Sequence, residues 1–187
     1  MEVRVEHVSK SYDGVAVLRD VSFSASRGVT CVMAPSGTGK TTLLRILLGL
    51  EQPDKGSVTR CRWSAVFQED RLLEHLNAME NLRFVLGNAL DEAAARTLLE
   101  RLHLADTGEK KVRDFSGGMK RRLALSRALL SPSDALALDE PFTGLDEENR
   151  RRCLDCIQEA AREKPVLLVT HDAADAEALG AAVIRLS

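Results

Sequence analysis

Ala34-Pro35-Ser36-Gly37-Thr38-Gly39-Lys40-Thr41-Thr42 gathers the residue types that hold a triphosphate. Small residues let backbone N–H groups turn inward and approach phosphate oxygens. Lys40 can place a cation on the β- and γ-phosphates, and the Thr41 hydroxyl suits Mg²⁺. The apolar run Val29-Thr30-Cys31-Val32-Met33 before the loop reads as a buried strand. The run Thr42–Leu48 after it reads as a helix, whose N-terminus adds a positive dipole end. Ala34 stands where the usual pattern opens with glycine, a small departure because alanine is the smallest residue with a Cβ.

Two further constellations extend this chemistry. Leu138-Asp139-Glu140-Pro141 reads as an apolar strand ending in adjacent carboxylates. Asp139 can hold a metal directly or through water, and Glu140 can polarise the water that attacks a γ-phosphate. Phe115-Ser116-Gly117-Gly118-Met119 reads as a helix start with Ser116 as N-cap and exposed backbone N–H groups, a second anion site. Two such sites in one chain invite a dimer in which one molecule closes on the other's nucleotide.

Strands and helices must hold these groups in place. Residues 2–8 and 17–24 alternate like strands with one solvated face, joined by a turn at Tyr12-Asp13-Gly14. Strands are expected near 57–60, 63–67, 135–138, 166–169 and 182–186, and helices over 117–130, 146–162 and 172–179. Leu72, Leu76, Met79, Leu82 and Leu86 recur at helical spacing, and Asp91 is placed to cap a second helix. The pattern predicts an α/β fold with a mostly parallel sheet covered on both faces. It also predicts an N-terminal antiparallel β subdomain and a helical insert. One domain spans residues 1–187, its core about 1–68 and 116–187 and its helical subdomain about 69–115.

Bulk composition narrows the partners. The chain has 187 residues, 44% hydrophobic and 29% charged, with a net charge of −2, so it carries no basic field for nucleic acid or an anionic membrane. The clusters Lys110-Lys111-Val112-Arg113, Lys120-Arg121-Arg122 and Arg150-Arg151-Arg152 are short, lack interleaved aromatics and read as solvated faces. No segment reaches the ~20 apolar residues of a spanning helix, and no signal-peptide stretch opens the chain. Cys153 and Cys156 read as reduced thiols one helical turn apart, without a second pair to complete a metal site.

Taken together and in this order, the phosphate loop, Ser116-Gly117-Gly118 and Asp139-Glu140 resemble the ATP-binding subunit of ABC transporters, nearest to importers of the nitrate, sulfonate and taurine type. The resemblance implies a P-loop NTPase core, ATP and Mg²⁺. It further implies that Tyr12 stacks on adenine, that Gln68 reaches Mg²⁺ and the attacking water, and that His171 contacts the γ-phosphate. Thr41, Gln68 and Asp139 become the Mg²⁺ ligands, and Lys40, Gln68, Glu140 and His171 the catalytic set. Gly144-Leu145-Asp146 matches a loop that crosses a dimer interface. Ser116, Gly117 and Gly118 then face the nucleotide of a second ABC ATPase subunit, in a homodimer or heterodimer. A transmembrane permease subunit is expected to dock near Glu69–Phe84, which makes the chain cytoplasmic and peripheral on the inner face of the cell membrane.

Met119 replaces the glutamine that usually ends the signature, Phe115 replaces its leucine, and no appended regulatory domain is expected. Two other functions share these motifs: a soluble ABC ATPase that remodels a protein partner, and a non-catalytic nucleotide-binding half of an asymmetric pair.

Overall fold

Alternating apolar and polar residues build the first hairpin, β1 (Val3–Tyr12) and β2 (Val15–Ala25). Asp13 and Gly14 both take positive φ, 49° and 80°, in a two-residue turn that pairs Tyr12 with Val15. This is the turn whose twist matches the flanking strands. The computed structural model describes residues 1–33 and 38–186. The free edge of β1 takes a third antiparallel strand, β4 (Lys55–Val58), giving the order β2-β1-β4.

The second sheet is parallel. It contains β3 (Gly28–Met33), β5 (Trp63–Val66), β6 (Ala135–Asp139), β7 (Pro165–Val169) and β8 (Ala182–Arg185), in the order β5-β6-β7-β3-β8. Every residue of β6 and β7 is buried, as expected when helices cover both faces. The two-residue period of the strands divides the core. Leu136, Leu138, Val166 and Leu168 point to one apolar cluster, and Ala135, Ala137, Leu167 and Val169 to the other.

The second cluster is closed by Leu43, Leu44, Ile46 and Leu47 of α1 (Lys40–Leu47) and by Val3, Val5, Val8 and Leu18 of the antiparallel sheet. The first is closed by the helices α2 (Ala78–Leu86), α3 (Glu92–Arg101), α4 (Gly117–Leu130) and α5 (Glu147–Ala161). A short last helix, α6 (Ala173–Ala178), leads to β8.

The helical period from Leu72 to Leu86 proves misleading over its first half. Residues 72–76 are not helical, and α2 begins only after Asn77. Asn77 and Glu80 form a reciprocal capping box: the Asn77 side chain accepts from Glu80 N at 2.8 Å, and Glu80 accepts from Asn77 N at 2.7 Å. That cap overrides the apolar spacing upstream of it. Asp91 caps α3 through Ala93 N and Ala94 N, and Ser116 caps α4 through Met119 N, both as expected.

Candidate nucleotide-binding site

Register puts the chemistry on one edge. Val66 pairs with Leu138, Asp139 with Val169, and Val169 with Val32, so four adjacent strands end nearly level. The residues that follow those strands bring Gln68, Glu140 and Thr170-His171, beside the end of β3, to the carboxyl edge of the parallel sheet, where α/β sheets bind ligands.

Ala34, Pro35, Ser36 and Gly37 lie outside the described residues. Gly39 caps α1 with φ 87°, and a Cβ there would come within 2.7 Å of Leu18 Cδ2 and 2.8 Å of the Val17 carbonyl oxygen. Only glycine satisfies both the left-handed backbone and this approach to β2. Lys40, Thr41 and Thr42 then form the first turn of α1. The Tyr12 hydroxyl donates to Glu51, and Lys10 Nζ stands 5.6 Å from the centroid of the Tyr12 ring. Tyr12 is thereby held against Glu51 and remains 40% exposed.

Asp139 is buried at the end of β6. Burial and the neighbouring negative Glu140 push its carboxyl up, while Lys40 and Arg121 pull against them. Glu140 sits in the left-handed region with φ 47°, fixed there by its N–H donating to the Val169 carbonyl at 2.9 Å. Its Oε1 lies 2.8 Å from His171 Nδ1, and since a carboxylate only accepts, the imidazole donates. This bond holds the His171 imidazolium above the usual histidine range. The charged pair is therefore complete below the ordinary imidazole value and is lost as pH rises through the raised one. We expect the His171 ring to titrate by NMR with a midpoint above ~6.5, and Glu140→Gln to bring it back to that value. An unshifted parent midpoint would contradict the pairing.

A buried relay supports this pair. Thr170 Oγ donates to Asp175 Oδ2 at 3.0 Å and lies 3.5 Å from Glu140 Oε2, and Arg150 Nε donates to Asp175 Oδ1 at 2.9 Å. Thr170, Asp175 and Arg150 were not among the expected site residues. The adjacency of Thr170 to His171 was the only hint that the sequence carried.

Ser116, Gly117 and Gly118 line a different cavity, shared with Asp70, Gly144 and Asp146, while Glu140 and His171 line the cavity beside it. A Cβ on Gly118 would press to 3.3 Å from the Gly144 carbonyl oxygen, whereas Gly117 faces open space. Asp146 caps α5, its Oδ1 accepting from Asn149 N at 2.8 Å. The two cavities adjoin, with Thr143 and Leu145 lining both.

The basic clusters are not all solvated. Arg121 and Arg122 are 7% and 6% exposed, and Arg150 pairs with buried Asp175. Arg122 Nη1 donates to the His103 carbonyl at 3.0 Å, so its charge goes to backbone oxygens rather than water. The four cysteines are free, and burial pushes the Cys153 thiol up to about 12. Among the described residues no group of three His, Cys, Asp or Glu side chains forms a metal cage.

Comparison with known proteins agrees with this geometry. The family model for ABC transporters matches residues 18–143. The chain is 38% identical over 181 residues to the aliphatic sulfonates import ATP-binding protein SsuB 2 of Pseudomonas syringae pv. tomato, covering 94% of this chain and 77% of the relative. It is 37% identical over 197 residues to the Nod factor export ATP-binding protein I of Cupriavidus pinatubonensis, covering 95% of this chain and 61% of the relative. A solved structure of the ATP-binding subunit of an ABC transporter superposes with a TM-score of 0.88 at 25% identity, covering 100% of this chain and 86% of that one.

Proposed function

The chain belongs to the ABC transporter ATP-binding family, and from that premise we propose that it works in pairs, as an ATPase subunit coupled to a transmembrane permease. Members of this family bind and hydrolyse ATP, and so does this subunit. The observation that carries the fuller reading is the common sheet edge that holds Gln68, Glu140 and His171, with Lys40 of α1 near enough for its charge to act on Asp139 and His171.

In each site one protomer contributes Tyr12, the 34–42 loop, Gln68, Asp139, Glu140 and His171. The other contributes Ser116, Gly117 and Gly118, with Asp146 in the loop between the protomers. Ser116–Gly118 and Glu140–His171 line adjoining but distinct cavities, which supports this division. Glu140 accepts the proton of the attacking water, and His171 turns from Glu140 towards the γ-phosphate. A γ-phosphate shared across the interface favours the closed pair, and its loss after hydrolysis favours the open one.

Thr41, Gln68 and Asp139 would hold Mg²⁺. All are hard oxygen donors, and Asp139, whose carboxyl is pushed up by burial and by the neighbouring Glu140, lies where added positive charge is favoured. An ion held through these few protein oxygens would take phosphate and water to complete its shell. When bound, Mg²⁺ neutralises β- and γ-oxygen charge.

The helical segment 69–115 serves as the docking subdomain on a core of 1–68 and 116–187. Phe84 and Val85 of α2 are 71% and 51% exposed, and Leu50 is 63% exposed; Val85 and Leu50 rim one groove with Phe67 and Arg127. Apolar exposure of this kind marks a contact surface. No helix among the described residues is long and apolar enough to cross a membrane, so the membrane is reached through the partner, on its cytoplasmic face. The importer reading rests on the likeness to the sulfonate-import relative.

Detergent extraction followed by affinity capture is expected to recover a polytopic membrane protein, and Phe84→Glu to lose it while ATP binding persists. Recovery of soluble proteins alone would overturn the transport reading.

A further inference from the structure

The Gln68 loop is fastened to α4 by two arginines. Arg121 Nη1 and Nη2 donate to the carbonyls of Phe67 and Gln68, each at 2.7 Å. Two turns along the helix, Arg127 donates to the carbonyls of Asp70 and Arg71, at 2.9 and 2.7 Å. Of five successive carbonyls, only that of Glu69 falls outside these contacts. Arg121 Nη1 also lies 3.2 Å from the half-buried Asp70 carboxylate, and the Arg71 guanidinium stacks 3.9 Å from the Phe67 ring centroid. A guanidinium that engages two carbonyls in one plane fixes both the position and the tilt of the segment, which an ammonium cannot do.

We propose that Arg121 and Arg127 are positioning residues that make the Gln68 loop and the Ser116–Gly118 helix start one moving body. The proposal rests on the roles given above to Gln68 and to Ser116–Gly118. A nucleotide gripped by Ser116–Gly118 of one protomer then sets where Gln68 stands in that protomer's own pocket. The two ATP sites of the pair are coupled through α4, and the coupling runs along backbone carbonyls, so the side chain of Gln68 stays available for the reaction.

The test compares the full-length parent with Arg121→Lys, Arg127→Lys and Gln68→Ala. For each lysine variant we expect kcat to fall between about tenfold and a hundredfold, KM for ATP to stay within about twofold, and the Hill coefficient for ATP to drop towards one. Hydrogen exchange in a Glu140→Gln background with saturating Mg-ATP gives a second readout. ATP should slow exchange at both 67–71 and 117–121 in the parent arginine protein, but only at 117–121 in the lysine variants. Parental kcat and parental loop protection in Arg127→Lys would overturn the proposal. That position is only partly buried, so its result stands even if Arg121→Lys fails to fold. Gln68→Ala with full activity would instead remove Gln68 from the reaction, whereas an impaired Gln68→Ala beside unaffected lysine variants would reject the fastening alone.

Discussion

Glu140→Gln is expected to bind ATP normally and to hydrolyse it about 10²–10⁴-fold more slowly, the range for losing a positioned base. The amide copies the carboxylate in shape. Its backbone remains locked, because the N–H that donates to Val169 O and the left-handed φ of 47° do not depend on the side-chain charge. His171 Nδ1 can still donate to the amide oxygen, so the ring stays in place. What disappears is the ability to take a proton from water. Single-turnover phosphate release should show the loss, and size-exclusion chromatography with Mg-ATP should show dimers accumulating. An unchanged rate would remove Glu140 from the base role.

Lys40→Ala is expected to weaken nucleotide binding by about a hundredfold or more, in line with the ~3 kcal/mol of a strong charged hydrogen bond. Gly39 against β2 fixes the start of α1, so the backbone that carries residue 40 is expected to keep its place in the variant. The substitution acts twice. It removes the cation proposed to meet the triphosphate, and it removes one of the two positive groups that oppose protonation of Asp139. Equilibrium titration with a fluorescent ATP analogue measures the effect, and parental affinity would contradict the phosphate-loop assignment.

Periodicity and turn chemistry carried most of the architecture. The two-residue alternation before Asp13-Gly14 forms the antiparallel sheet, and the apolar runs ending at Asp139 and Val169 form the buried parallel strands. Ser116 and Asp91 cap the helices expected of them, because a cap is a local contact between residues two or three apart. What stayed hidden depended on distance along the chain. Arg121 meets carbonyls 54 and 53 residues away, and no local pattern separates an arginine facing water from one facing a distant backbone oxygen. Arg150 meets Asp175 from 25 residues away, for the same reason. Leu72 and Leu76 keep helical spacing without a helix, since the Asn77–Glu80 cap fixes where the turn begins.

The first apolar cluster does not stop at the boundary of the insert. Leu82, Leu99 and Leu104 share it with Leu123, Leu136 and Leu168. An engineer who excised residues 69–115 to graft them onto another ATPase would carry off half of a joint. The transplant would arrive with raw leucine faces, and the donor would be left with an uncapped sheet. Substitutions on the exposed face of α2, at Phe84 and Val85, would instead leave that joint intact.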